Sequence, residues 1–179
     1  MYGFAGGDPV NFDDPFGLCK GTKGEDLPPE QCKKNLTSAQ DAAMSNPKYQ
    51  PVAGGSTFCN QATLSVILAM NGSTGGLVDA NGRALRANDM VAGLKANRNF
   101  RAVSADQATA LANQGELVVA AGPGHVSTIR PEPSGPGAES YRGRGPLHAD
   151  VGRNVGIYRF NYAWGADKRA QVVFFTSAP

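Results

Sequence analysis

What most constrains the fold of this chain is the order in which its patterns come: segments with helical character first, and almost only β-like segments from residue 116 onward. "TSAQDAAM" (37–44) opens with Thr and Ser, whose side chains can accept hydrogen bonds from the free N–H groups of a helix start, and it stops before Pro47. "STFCNQATLSVILAMNG" (56–72) predicts a second helix with Ser56 or Thr57 as N-cap and a stop at Asn71-Gly72. It is apolar on most of its surface, which implies a central position. "ANDMVAGLKAN" (87–97) and "SADQATALANQG" (104–115) predict two further short amphipathic helices, the second capped by Ser104 and ended by Gly115. The β-like runs are "ELVVAA" (116–121), "HVSTIRP" (125–131), "PLHADV" (146–151), "VGIYRF" (155–160) and "AQVVFFT" (170–176), separated by Gly, Pro and Asn. Helices followed by strands is the pattern of an α+β domain with an antiparallel sheet. Residues 1–35 show neither period and read as extended or loop-like, and the Gly/Pro-rich stretch from Pro133 to Gly145 reads as a mobile or surface-wrapping loop.

Length and charge narrow the function classes. The 179 residues suffice for one domain with a sizeable core. Seventeen basic and fifteen acidic residues leave a net charge of +2 with no run of like charges, so nucleic acid is not an expected partner. No apolar stretch approaches the roughly 20 residues that span a bilayer, and no export signal opens the chain. A soluble domain without membrane insertion is expected, exported by means outside it.

Cys19, Cys32 and Cys59 are an odd set, which in an oxidising compartment suggests one pair and one free thiol. Cys19 and Cys32 can close a short loop and leave Cys59 over; three unrelated reduced thiols are the alternative. Cys59 falls at the predicted first turn of a helix, where unpaired N–H groups and the macrodipole favour the thiolate. A cysteine in an apolar helix is also a common packing residue, so the chemistry depends on its partners. Only His125 and His148 can serve as base. His125 follows the turn "AGPG" and opens a strand, while His148 lies in "PLHADV", where alternation puts it on one face with Asp150. Their Cα atoms then stand roughly 6.6 to 6.8 Å apart, so only one can sit level with the His125 ring and orient it. A carboxylate stabilises an imidazolium better than a neutral imidazole does, which favours Asp150. Two histidines without a Cys-x-x-Cys pair make a zinc site improbable, and no metal or other cofactor is expected.

Cysteine at a helix start, then histidine opening a strand, then a polar residue on the next strand fits a papain-like fold. The stretch 100–131, preceded by "ANDMVAGL" and "TFCNQATLSV", resembles bacterial cell-wall hydrolases of the NlpC and CHAP type, over roughly residues 50–176. The resemblance implies Cys59 as nucleophile and His125 as base. For the orienting residue it points two ways: "LHA" is similar to the NlpC form and implies His148, whereas "ADVG" occupies the place of the orienting residue in related amidases and implies Asp150, with Asn154 a distant third. The Cys59 N–H, with Asn60 or Gln61 beside it, is the expected oxyanion-stabilising group.

At the other end, "YGFAGGDPVNFDDPFGL" (2–18) resembles the C-terminal end of the core of RHS-repeat proteins, a shell that encloses a variable toxin and is cut after a "DPxGL" sequence. Here that sequence runs from Asp14 to Leu18, although "DDPFG" is also an ordinary turn. Asp14 has no partner carboxylate without the shell, so self-cleavage of this chain alone is not expected. The implied layout is the end of the RHS core over 1–18, a linker and first helix over 19–50, and a papain-like toxin domain over 51–179. Together the two resemblances imply an antibacterial effector of type VI secretion that cuts amide bonds of peptidoglycan in the target periplasm. Its implied partners are the RHS shell and a cognate immunity protein. The alternative is a papain-like toxin that deamidates or cleaves a cytosolic protein.

Overall fold

The computed structural model describes residue 19 and residues 25–53, 55–133 and 144–177. Asp14 and Leu18 of the "DPFGL" sequence lie outside these residues, as does most of the loop after Pro133. Five α-helices and six strands are described: α1 (Pro29–Ser45), α2 (Cys59–Asn71), α3 (Ala87–Ala96), β1 (Phe100–Val103), α4 (Ala105–Gln114), β2 (Val118–Gly122), β3 (His125–Ile129), β4 (Leu147–Val151), β5 (Val155–Arg159), α5 (Phe160–Ala163) and β6 (Val173–Ser177). The strands form one antiparallel sheet in the order β1-β6-β2-β3-β4-β5. The molecule is therefore α+β.

Both faces of the sheet are covered. Val119, Ala121 and Val126 face α1, α2 and α3 in a core with Leu36, Ile67, Met90 and Leu94. Val118, Ala120 and Ile129 face α4 and the Phe160–Trp164 segment in a second core with Ala108, Ala112 and Phe174. Successive residues of a strand point to opposite faces, so a strand covered on both sides must be apolar throughout. That accounts for the unbroken run of buried residues along β2.

The first helix begins earlier than its pattern indicates. Residues 29–35, expected in a loop, are helical, because Pro29 occupies the first position, where a missing N–H costs nothing. Thr37 is no cap but a mid-helix residue whose hydroxyl donates to the Lys33 carbonyl at 2.9 Å. The helix packs into the main core. Leu36 and Ala43 share the core of Cys59 and Val66, and the buried Gln40 amide donates to Thr128 Oγ1 at 3.0 Å and to the Ile129 carbonyl at 2.9 Å. Burial of Leu36 alone contributes about 2 kcal/mol. β1 was not expected as a strand; it pairs along β6 from Phe100 opposite Ser177 to Val103 opposite Phe174.

Cys19 and Cys32 are joined in a disulfide, and Cys59 is the free thiol among the described cysteines. The bridge holds residue 19 to the first turn of α1. The α4 terminus packs against the same turn: a Cβ on Gly115, which has φ 90°, would lie 2.4 Å from Cys32 Cβ. Cross-linking residues 13 apart restricts the unfolded chain by about 3 kcal/mol. Reduction, or Cys19→Ser, should thus lower unfolding stability by about 2 to 4 kcal/mol, read as a shift of the urea midpoint; an unchanged midpoint would show that the bridge contributes nothing.

Candidate active site

Three elements meet at one end of the sheet. α2 starts at Cys59 with Phe58 as its N-cap, and no side chain caps it, so neither Ser56 nor Thr57 takes that place. The first N–H groups of a helix have no partner within it, and an uncapped start leaves them to whatever faces them. Cys59 is the first residue of that turn and is buried, with 3% of its surface exposed. Thr57 turns its hydroxyl to that sulfur instead of to the helix, and the Val126 N–H also points at it.

His125 opens β3 after the two-residue turn at 123 and 124, directly opposite Gly122 of β2. Its Nε2 donates to Asp150 Oδ2 at 3.1 Å and lies 3.0 Å from Oδ1 without the alignment of a hydrogen bond. Because Nε2 is taken by the carboxylate, Nδ1 is the ring nitrogen left for the Cys59 sulfur, to which the imidazole is hydrogen-bonded. Asp150 is 4% exposed and lies on β4, whose pairing runs Thr128 to Ala149 and Ile129 to His148.

The electrostatics favour separated charge. Burial by itself works against an imidazolium at His125. The hydrogen bonds that the ring makes to Asp150 and to Cys59, with the negative charge of each, outweigh it and push the histidine up to about 9. Burial likewise opposes a thiolate at Cys59. The His125 hydrogen bond and charge, then the Val126 N–H and Thr57, overcome it and hold the thiol below its ordinary value. Both shifts favour the thiolate–imidazolium form of the pair over the neutral one.

His148 shares the face of Asp150, as alternation requires, but it is not level with His125. It is fully buried, its Nδ1 lies 2.8 Å from Ser127 Oγ, and its ring stacks on Phe160 at 5.8 Å between centroids. Burial, and then the charge of nearby His125, push its pKa down to about 3. It is a neutral core residue, not the partner of the His125 ring. Asn154 lies in the turn after β4, where its carbonyl accepts from the Gly152 N–H. The Asn60 side-chain amide donates one of its two N–H groups to the Leu85 carbonyl at 2.7 Å. Gln61 is exposed and turned to the opposite side of α2, lining a groove with Tyr49 and Leu64. The Cys59 N–H belongs to the first residue of α2.

Sequence reasoning missed Trp164. Its buried ring meets the His125 imidazole edge-on at 4.9 Å between centroids, covering the His125–Asp150 contact. Two glycines make room for this packing. A Cβ on Gly122 would lie 2.8 Å from the Trp164 ring, and one on Gly152 would lie 3.0 Å from Asp150 Oδ1 and 3.1 Å from His125 Cε1. The signal lay in Gly152, noted only as part of "ADVG", and in Gly122, read only as part of the "AGPG" turn. Among the described residues no helix is long and apolar enough to cross a membrane. Comparison with protein-family models, with curated proteins and with solved structures finds no match to this chain.

Proposed function

We propose that this chain is a cysteine amidase or endopeptidase of papain-like architecture that hydrolyses amide bonds of peptidoglycan, and that it serves as the toxin of an RHS effector acting in the periplasm of a target bacterium. The observation that carries the chemistry is the continuous line from Cys59 through His125 to Asp150, with the thiol lowered and the imidazole raised. Substrate and delivery rest on the resemblances of residues 50–176 and 2–18.

The Cys59 thiolate adds to the carbonyl carbon, and the oxyanion so formed accepts from the Cys59 N–H at the start of α2. As the C–N bond breaks, the His125 imidazolium gives its proton to the leaving amine, and a thioester remains. Neutral His125 then takes a proton from water, whose hydroxide adds to the thioester carbon. Collapse expels the thiolate and releases the acid, so that the thiolate again faces the imidazolium formed when His125 took the proton from water. Asp150 keeps the Nε2 proton in place throughout and stabilises the imidazolium in each half of the cycle.

Compartment is the deciding test of the substrate. Expressed in a susceptible cell with an export signal, the chain should lyse its host; expressed without one it should be nearly harmless. Purified sacculi incubated with the protein should release soluble fragments that mass spectrometry identifies as products of amide cleavage. Strong toxicity without the export signal, with sacculi left intact, would favour instead the cleavage or deamidation of a cytosolic protein.

A further inference from the structure

His125 stands at the end of a hairpin turn, so its place depends on how that turn is held. Pro123 followed by Gly124 at φ 74°, between the paired residues Gly122 and His125, is the pattern of a type II turn. Turns of that type match the twist of two paired strands less well than the primed types do, so the hairpin does not fix its own tip. The turn's own hydrogen bond uses the N–H of its fourth residue, here His125, and leaves that of the third without a partner in the turn. The third is Gly124, whose N–H donates to Asn88 Oδ1 at 2.7 Å. A side chain on α3 therefore grips the residue immediately before the imidazole.

Asn88 is itself firmly placed. It lies in the first turn of α3, which Met90 and Leu94 anchor in the main core. Ahead of the helix, the Leu85 N–H donates to the carbonyl of buried Leu77 at 3.1 Å, and Ala84 bridges to Val78. The Leu85 carbonyl in turn accepts from the Asn60 amide at 2.7 Å, and Asn60 directly follows Cys59. The segment 85–88 thus carries a hydrogen bond to the helix of the nucleophile at one end and a hydrogen bond to the turn of the base at the other.

We propose that Asn88 is a positioning residue for the amide hydrolysis: through the Gly124 N–H it sets the His125 imidazole where Nδ1 meets the Cys59 sulfur, while the Asn60–Leu85 bond holds the same segment to the start of α2. The inference rests on the amidase reading above and adds to it the part that fixes the separation of nucleophile and base. Asp150 and Trp164 act on the ring itself, at Nε2 and at its edge. Asn88 acts on the backbone that carries the ring. Attack and proton transfer demand close placement, and a shift of about 1 Å caused far from the chemistry can slow a reaction about 10²-fold. An amide oxygen suits the place because it accepts the N–H without adding a charge to the site. Asn88 and Gly124 are both exposed, so water can replace the bond and the fold loses little with it.

The test uses the full chain and a synthetic muropeptide. Asn88→Ala should lower kcat about ten- to a hundred-fold, leave KM within about two-fold and leave the urea midpoint nearly unchanged. Asn88→Asp, whose carboxylate accepts the same N–H, should recover kcat to within about three-fold of wild type. The place of the ring is read separately, without turnover, from the nuclear magnetic resonance titration of the imidazole C–H protons. The groups that act on the His125 ring are Asp150 from β4 and Cys59 from α2, which raise it to about 9, while His148 of β4 titrates at about 3 and gives a distinct signal. In Asn88→Ala the His125 ring should lose part of its contact with the sulfur and titrate at lower pH than in wild type; a merely structural role would leave that midpoint unmoved. A kcat within about two-fold of wild type, an unmoved His125 titration, or a loss that Asn88→Asp does not recover would overturn the positioning role and leave the amidase reading standing. If wild type does not cleave the muropeptide, the amidase reading fails and the titration alone decides. A lowered midpoint in Asn88→Ala then upholds Asn88 as the residue that sets the imidazole, and an unmoved one overturns it as well.

Discussion

Cys59→Ala should lower amide hydrolysis by a factor on the order of 10⁴ or more while leaving the molecule folded. The substitution removes a single sulfur from a position against the end of the sheet, so the urea midpoint should move by little. Activity at the wild-type level in that variant would sink the proposed enzyme. His125→Ala should be equally inactive, but it is the poorer probe. It strips the buried Asp150 carboxylate of its ion-pair partner, a loss of about 3 kcal/mol or more. The pH profile of wild type provides an independent check. Turnover should appear as pH rises through the lowered value of Cys59, because the thiolate is the nucleophile. It should fall away as pH passes about 9, where His125 loses the proton that the leaving amine requires. A profile that keeps rising beyond pH 10 would mean that His125 is not the proton donor.

Asp150→Asn should reduce kcat by about 10² to 10⁴ and displace the alkaline limb of the profile to lower pH. The displacement has a definite sign: the Asp150 hydrogen bond and charge are what raise His125 against the effect of burial, so removing the charge lets the histidine fall. His148→Ala should do the reverse, leaving turnover per folded molecule near normal while destabilising the fold by about 2 to 4 kcal/mol through the cavity under Phe160 and Phe174. A large rate loss for His148→Ala beside a near-normal Asp150→Asn would exchange the two roles. Acid offers a second view of His148. Its folded value, about 3, lies below the ordinary 6.5, so between these pH values the unfolded chain binds the extra proton. The contribution of His148 is fully present above about pH 6.5 and is lost as pH falls toward 3. His148→Phe should weaken that part of the acid dependence.

The distribution of helices and strands was legible because most elements have local punctuation. Ser104 with Gln107 forms a capping box at one end of α4 and Gly115 closes the other, while Gly72, with φ 67°, ends α2. The start of α1 was misread because Thr37 and Ser38 look like caps and prolines look like breakers. Only tertiary burial of Cys32 and Leu36 reveals that the helix is already under way at residue 29. β1 was hidden because its four residues become a strand through pairing with β6, some seventy residues away. At the site, Asp150 and His148 share a face by simple alternation, but which of them meets His125 depends on the β3–β4 register. Trp164 could not be placed at all, since a single aromatic after a four-residue helix carries no periodic signal.

The strand order has a bearing on how the molecule comes into being. β6 is the last of the described strands in the sequence, yet it lies between β1 and β2, with Phe174, Phe175 and Thr176 paired on both sides. A ribosome-bound chain can assemble β2 to β5 as soon as residue 159 has emerged, while β1 waits without a strand to pair with. Both remaining seams close only when β6 arrives, and contacts so distant in sequence are slow to form. Synthesis interrupted before residue 173 would leave Phe100 and Leu117 without the Phe175 side of their shared core. Such a product exposes two unpaired strand edges, a state that quality-control proteases and chaperones recognise.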